Sequence, residues 1–270
     1  ENVVIMSATH TDLESWQKME RDFRDLFKQR DIDLDQLDPR QVGVMIRNHR
    51  SNAWLSDALE LWIGTRGQMS TIGGPKLDAQ QMQPWADAMY VADPDPVRTG
   101  IRKLIYSGGT PTVDQVESVI KGASLESQSP RALSWLATVF AIANAADRSD
   151  EIFHLAVSHY PSDFMLNYDF AYALVGQRRW PEAIRYFMRC VAIRPDVAGV
   201  WRALGNAFRE NGELQRSQEA LQRSIQLSPN HQPTLVDLEK TLDLLRSQSS
   251  SSKDGSAQNK PFPEPSGKKP

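Results

Sequence analysis

The sequence is poor in the features that mark secreted, membrane and nucleic-acid-binding proteins. One of its 270 residues is cysteine, which excludes an internal disulfide framework. No run approaches the roughly 20 apolar residues of a membrane-spanning helix. The net charge of −3 and the isoelectric point near 6.0 argue against a surface built for nucleic acid or for membranes. The lone Cys190 is compatible with a reducing compartment, and we expect a cytoplasmic protein.

The sequence also lacks the constellations that carry catalysis or hold cofactors. No phosphate-binding loop with Gly-Lys-Ser/Thr is present, and Gly73-Gly74 and Gly108-Gly109 do not have the spacing of a kinase glycine-rich loop. His154 and His159 are five residues apart, which is off one helix face, and nothing completes a zinc set with them. We therefore expect no catalytic residue, no metal, no cofactor and no enzymatic activity in this chain.

What the sequence does contain is an internal period. Pro161, Pro195 and Pro229 lie 34 residues apart. A constant spacing of this length is typical of stacked helical repeats. The repeats that follow from it have equal length and cover 130–163, 164–197 and 198–231.

Large and small residues recur in phase inside these repeats. Repeat positions 7, 11 and 24 are bulky: Leu136, Phe170, Leu204, Phe140, Leu174, Phe208, Phe153, Phe187 and Leu221. Repeat positions 8, 20 and 27 are small: Ala137, Ala171, Gly205, Ser149, Ala183, Ser217, Ala156, Cys190 and Ser224. This spacing predicts two helices per repeat, which approach closely at the small residues and are packed by the large ones. Asn211-Gly212 supplies the turn between them in the third copy.

The pattern resembles the tetratricopeptide repeat family over 130–231, with three copies in register. The resemblance implies an all-α fold, a right-handed solenoid of helix-turn-helix repeats. Four leucines continue the first-helix pattern beyond the last repeat and predict a capping helix over 232–246: Leu235, Leu238, Leu242 and Leu245. The polar composition of 247–270 predicts a disordered tail.

The preceding residues, 13–129, predict an irregular helical region, and its helix pairs suggest degenerate repeats. The helices that we expect lie near 13–27, from Pro39 onward, and near 53–62, 82–90, 101–106 and 113–120. We expect Gly64-Thr65-Arg66-Gly67 to end the third of these helices and a loop to follow as far as Pro75. Residues 1–12 form a lead segment that we leave unassigned.

Three segments of this region form a second pattern: Asp31-Ile32-Asp33-Leu34 with Asp38-Pro39, then Ser56–Trp62, then Ala92–Pro96. They resemble the segment that leads into tetratricopeptide repeats in large Hanks-type serine/threonine kinases of planctomycete bacteria. The resemblance implies the carboxy-terminal, regulatory part of such a kinase. The chain begins at Glu1 without an initiator Met, so we expect a piece of a longer protein.

In tetratricopeptide arrays, repeat positions 2, 5, 6, 9, 12 and 13 face a concave groove. The resemblance therefore implies a partner-binding set: Trp135, Tyr168, Asp169, Tyr172, Arg202, Asn206 and Arg209. Aromatic and arginine side chains dominate interface energetics, and arginine binds a carboxylate bidentately. We predict that this set binds a protein or peptide, most favourably an acidic extended segment. The alternative for Trp135 and Tyr168 is that they only bridge neighbouring repeats.

Taken together, the sequence predicts a non-enzymatic scaffold that binds a protein or peptide partner in its concave groove. Two other interpretations stay open. The chain is the carboxy-terminal part of a bacterial serine/threonine kinase whose catalytic domain lies elsewhere, or it is a self-association or spacer element.

Overall fold

The structure is a computed structural model that describes residues 13–71, 79–106 and 109–256. In this part of the chain the regular structure is helical, as the sequence predicts. The helices are α1 (Leu13–Lys28), α2 (Pro39–Asn48), α3 (Asn52–Thr71), α4 (Ala79–Ala92), α5 (Pro96–Tyr106), α6 (Val113–Ile120), α7 (Pro130–Ile142), α8 (Ala146–His159), α9 (Phe164–Gly176), α10 (Trp180–Ile193), α11 (Ala198–Glu210), α12 (Leu214–Leu227) and α13 (Gln232–Ser256). The lead segment 1–12, residues 72–78 with the second part of the expected loop, residues 107–108 and residues 257–270 lie outside the described residues.

The three repeats are three helix pairs in register: α7 with α8, α9 with α10, and α11 with α12. Equivalent first helices begin 34 residues apart, at Pro130, Phe164 and Ala198. The large and small residues at positions 7, 8, 11, 20, 24 and 27 are all buried. They merge into one core, in which the rings of Phe153 and Phe170 stack across adjacent repeats with centroids 4.7 Å apart.

The turn between the two helices of each repeat is built identically. Asn144, Arg178 and Gly212 take left-handed backbone angles, with φ of 59°, 59° and 82°. The residue after each one donates its N–H to a carbonyl five residues back, as in Arg179 N to Leu174 O at 2.9 Å. This pairing satisfies carbonyls that the end of the first helix would leave open. The sequence indicated this turn only in the third copy, through Gly212, whereas the backbone has the same conformation in all three copies.

Exchanging the residue types at these turns should change stability in opposite directions. Arg178→Gly removes the left-handed penalty of an L side chain and should raise the free energy of unfolding by about 0.5–1 kcal/mol. Gly212→Ala should lower it by about 1 kcal/mol for the converse reason. Urea denaturation measures both, with Asn144→Gly as a near-neutral control because Asn tolerates this conformation. A destabilised Arg178→Gly variant would contradict the turn geometry.

Helix α13 lies in the place of a first helix of a fourth repeat, since Gln232 follows Ala198 by 34 residues. Its buried face is polar, with Thr234, Asp237 and Thr241 facing the array. The four leucines of the sequence prediction are only half-buried. In the described chain no second helix follows α13 to cover them.

Helix α13 continues to Ser256, ten residues past the boundary predicted at residue 246. The disordered tail stays a prediction for the residues that follow. The hydroxyls of Ser247 and Ser249 donate to the carbonyls of Asp243 and Arg246 at 2.9 and 2.7 Å. These bonds satisfy the serine hydroxyls inside the helix.

The amino-terminal helices α1 to α4 enclose a separate core, which includes Phe23, Phe27, Trp62 and Met89. Helix α2 packs most extensively on α4, the next helix but one, while α3 packs on α1 and also on both of its neighbours in the chain, α2 and α4. Gly43 allows α2 to approach α4, because a β-carbon there would lie 2.4 Å from the carbonyl oxygen of Ala88. This packing order differs from that of the repeats, and an origin from degenerate repeats stays a prediction.

The expectation that Gly64-Thr65-Arg66-Gly67 ends the third helix is wrong, since α3 continues to Thr71. Glycine ends a helix by turning left-handed, and neither of these glycines has a positive φ. The Arg66 guanidinium lies 4.8 Å from the Trp62 ring centroid and 3.8 Å from Glu20 of α1. The first contact lies within α3 and the second joins α3 to α1, and together they offset a helix-propensity cost of about 1 kcal/mol per glycine.

A buried arginine joins this unit to the repeat array. Helices α5 and α6 pack on α7, and Arg102 of α5 is fully buried. Its guanidinium donates to both carboxylate oxygens of Glu60 on α3, at 2.7 and 3.2 Å, and to Asp93 after α4, at 2.7 Å. Burial raises the pKa of Glu60 to about 7, against the opposing effect of Arg102. Burial also disfavours the Arg102 cation, but its bonds to Glu60 and Asp93 outweigh this and raise its pKa.

Removing one partner of this ion pair should destabilise the protein strongly. Arg102→Leu leaves the Glu60 carboxylate buried without its partner and should lower the free energy of unfolding by about 3–5 kcal/mol. Replacing both Glu60 and Arg102 by Leu removes both charges and should recover most of that loss. Chemical denaturation of the two single variants and the double variant measures the coupling. Strictly additive losses would contradict a mutual ion pair.

Candidate functional site

A groove runs between helix α3 and the first helices α7 and α9. Trp54, Asp57 and Leu61 are spaced three and four residues apart, so they share the face of α3 that lines it. The opposite wall comes from repeat positions 2, 5, 6, 9 and 12 of α7 and from positions 2, 5, 6, 9 and 10 of α9. The concave surface implied by the sequence is therefore bounded on one side by a helix from outside the repeats.

The wide part of the groove is a cavity of about 640 Å³ with an aromatic lining. Four of the sequence-predicted residues are brought together here: Trp135, Tyr168, Asp169 and Tyr172. Thr138, Ala141 and Ala173 are the small residues that leave it open.

The two tyrosines of this cavity have different roles. Tyr168 is only 8% exposed, and its ring packs between Phe164 and Phe187. Tyr172 is 46% exposed, and its ring lies 4.7 Å from that of Tyr168 and 5.3 Å from that of Phe187. Tyr168 therefore supports the wall in the manner of the bridging alternative, while Tyr172 presents a supported ring to the groove.

The narrow end of the groove is a second cavity, of about 310 Å³, and it is lined by charged residues. Neither Asp57 nor Arg131 forms a hydrogen bond or an ion pair with another described residue. Asp169 accepts a hydrogen bond of 2.5 Å from the hydroxyl of Ser134. The Arg131 guanidinium lies 5.0 Å from the ring centroid of Trp135, so it joins the charged end to the aromatic part.

Two of the three carboxyl groups that line the narrow end, those of Asp57 and Asp169, have pKa values raised by their surroundings. Burial raises the pKa of Asp57 above its ordinary value, and Arg131 opposes the rise. Burial likewise raises the pKa of Asp169, against the effects of Arg131 and Ser134. Neither carboxylate is fully compensated by the protein itself.

The other three predicted residues form a separate cluster around a carboxylate of the same chain. Arg202 Nε donates to Asp237 Oδ2 at 2.6 Å, and Asn206 Nδ2 donates to the same oxygen at 3.0 Å. Arg209 Nη1 lies 3.9 Å from Asp237 Oδ1 and donates to Asn206 Oδ1 at 2.9 Å. We expected Tyr172, Arg202, Asn206 and Arg209 to be exposed together; the structure instead half-buries the last three against helix α13.

This cluster repeats a contact made earlier in the array. Ser134 and Asp169 pair across a separation of 35 residues, and so do Arg202 and Asp237. In both cases position 5 of one first helix bonds position 6 of the next. The sequence could have revealed the second pair had Asp237 been numbered as position 6 of a fourth repeat.

Removing Asp237 should loosen helix α13. Burial would raise the pKa of Asp237, but hydrogen bonds from Asn206 and Arg202 outweigh it and lower the pKa. A lowered pKa means that this contribution is present at neutral pH and is lost as the pH falls through and below the ordinary Asp range. Asp237→Ala should lower the free energy of unfolding by about 2 kcal/mol at neutral pH.

Thermal melts and hydrogen exchange of α13 test this prediction. Asp243→Ala is the matched control, because Asp243 is exposed on the same helix and pairs only with Arg246, three residues on. Such a surface pair contributes less than about 0.5 kcal/mol. Equal effects of the two substitutions would show that the Asp237 cluster does not hold the helix.

The Cys190 thiol is placed for packing in the repeat core. Burial raises the pKa of the Cys190 thiol to about 12, and its sulfur lies 3.7 Å from the carbonyl oxygen of Phe164. Among the described residues, no three His, Cys, Asp or Glu side chains are arranged to hold a metal ion. No helix in the described ranges is both long and apolar enough to cross a membrane.

The groove residues that were missed at the level of sequence include Trp54, Asp57, Leu61 and Arg131. Arg131 occupies repeat position 2, which the family pattern already assigns to the groove. The three α3 residues carry no such signal, because their place beside the repeats depends on a contact between distant helices.

No protein-family model matches the sequence, and no curated protein is similar to it. Solved structures do resemble it at the level of overall shape. YrrB, described as a TPR protein with an unusual peptide-binding site, is 16% identical, with 79% of this chain and 95% of that chain covered and a TM-score of 0.44. MamA from Desulfovibrio magneticus RS-1 is 20% identical, with 56% and 94% covered and a TM-score of 0.43. Likeness at this level carries no argument about function.

Proposed function

We propose that this chain is a non-enzymatic interaction module that binds an extended segment of another protein in the groove between α3 and helices α7 and α9. The observation that carries the proposal is the exposed ring of Tyr172 beside Trp135 in an open cavity of about 640 Å³. Supported aromatic rings are the commonest energetic anchors of protein interfaces.

The shape of the groove favours a polypeptide over a compact ligand. Its wide and narrow cavities share Leu61, Arg131, Met165 and Asp169 as walls, so they follow one another along the groove. An extended chain points alternate side chains to the same face and can place one in each cavity. The acidic segment predicted from Arg202 and Arg209 would have to displace Asp237, which already occupies them.

A place within a larger kinase is a second proposal, favoured by the sequence resemblance at Ser56–Trp62 and Ala92–Pro96. In that setting the groove would select partners or substrates for a catalytic domain outside this chain. Determining the coding sequence upstream of Glu1 tests it: a kinase domain supports the idea and another domain refutes it. We propose the cytoplasm as the compartment, in keeping with the unbridged thiol of Cys190.

Tyr172→Ala should separate binding from folding. We expect the variant to bind linear peptides, selected on the parent from a displayed random library, at least about tenfold more weakly. Its melting temperature should fall only modestly, because the ring is half-exposed although it loses its contacts with Tyr168 and Phe187. Met188→Ala removes a side chain of similar exposure, 47%, from a second helix and serves as the matched control. Isothermal calorimetry measures both, and equal affinities for the two variants would contradict this site.

A further inference from the structure

The charges that line the narrow end of the groove do not cancel. Asp57, Asp163 and Asp169 face Arg131 and Arg194 in this lining, three negative charges against two positive, which leaves one negative charge in excess. Asp163 also caps helix α9 by accepting from Leu166 N at 2.8 Å, and Arg194 pairs with Asp196 outside the cavity lining. A ligand group placed there therefore meets a net acidic surface.

Asp57 lines this cavity without a hydrogen-bond donor from the described residues. Because its carboxylate, half-buried on the α3 wall, accepts no such bond, the charges of three arginines act on it only through space: Arg131, Arg98 and Arg102. Across the groove, Asp169 has a single donor, Ser134. Between them the cavity of about 310 Å³ is large enough for the end of a long side chain.

Apolar surface lies next to these carboxylates. Trp54, Leu61 and Met165 line the same cavity, and Trp135 and Tyr172 follow in the wide part. Lysine and arginine bury their methylene stems on apolar surface while the charged end makes polar contacts, and aromatic faces attract cations. The combination of half-buried carboxylates and aromatic walls fits such a side chain.

We propose that the narrow end of the groove binds a lysine or arginine side chain of the partner segment between Asp57 and Asp169, while a neighbouring apolar residue packs on Trp135 and Tyr172. This inference rests on the proposed function and names the chemistry of the partner. It replaces the acidic partner expected from the sequence, because the arginines behind that expectation are bound to Asp237. The raised pKa values of Asp57 and Asp169 are consistent with carboxylates that await a cation.

The test begins with a displayed library of random linear peptides panned against the whole chain. We expect the bound peptides to share one Lys or Arg beside an apolar residue. Replacing that cation by Gln in the strongest peptide should weaken binding to the parent protein at least about tenfold, the size of effect expected for a desolvated charge pair.

The double variant Asp57→Asn, Asp169→Asn then identifies where the cation binds. These isosteric changes should lower the affinity for the cationic peptide at least about tenfold and leave the affinity for its Gln version unchanged. Asp243→Asn, on the exposed face of α13, should change neither affinity. Each single Asn variant, checked by its thermal melt, gives the same readout if the double variant does not fold.

The outcomes distinguish this inference from the function on which it rests. Peptides that bind, weaken with Tyr172→Ala and yet carry Asp, Glu or no charge would overturn the cation site and leave the groove as a peptide site. A cationic peptide that binds the Asn variants as tightly as the parent would also overturn it. A library without any binder would overturn the proposed function and this inference together.

Discussion

The buried ion pair between Arg102 and Glu60 sets the position of helix α3, and the groove depends on that position. The amino-terminal helices and the repeats have separate hydrophobic cores. What joins them is a guanidinium that bonds Glu60 on one helix and Asp93 at the end of another. Burying these charges is costly, so this contact is better understood as a device that specifies one arrangement than as a source of stability. With α3 in that arrangement, Trp54, Asp57 and Leu61 become one wall of a groove whose other wall is the repeat array.

The repeats could be predicted from the sequence because each one depends on local information. A period of 34 residues, prolines after the second helices and phased small residues specify every helix pair without reference to the rest of the chain. Trp135, Tyr168, Asp169 and Tyr172 were found in the same way, since their repeat positions determine the face they occupy.

The other features of the fold and of the groove depend on contacts between residues that are far apart in the sequence. Sequence patterns alone do not reveal such contacts. Gly64 and Gly67 are helix-ending signals that the packing of Trp62 and Arg66 overrides. We expected an acidic segment of another protein to bind Arg202. In the structure Arg202 pairs with Asp237, which lies in the capping helix of the same chain. The place of Asp57 beside the repeats follows from the ion pair of Arg102, a residue that showed no functional signal in the sequence.

The measurement that tests this account most directly is the pKa of the Asp57 side chain, followed by carbon-13 NMR of the carboxyl group across a pH titration. If α3 is held against the repeats, burial in the groove should raise the pKa of Asp57 above the ordinary range of aspartate. In Arg102→Leu, loss of the contact should expose Asp57 to water and lower the pKa toward that range, even though loss of the Arg102 charge alone would raise it. An ordinary or lowered pKa in the intact chain would mean that Asp57 faces solvent and that the groove has no α3 wall.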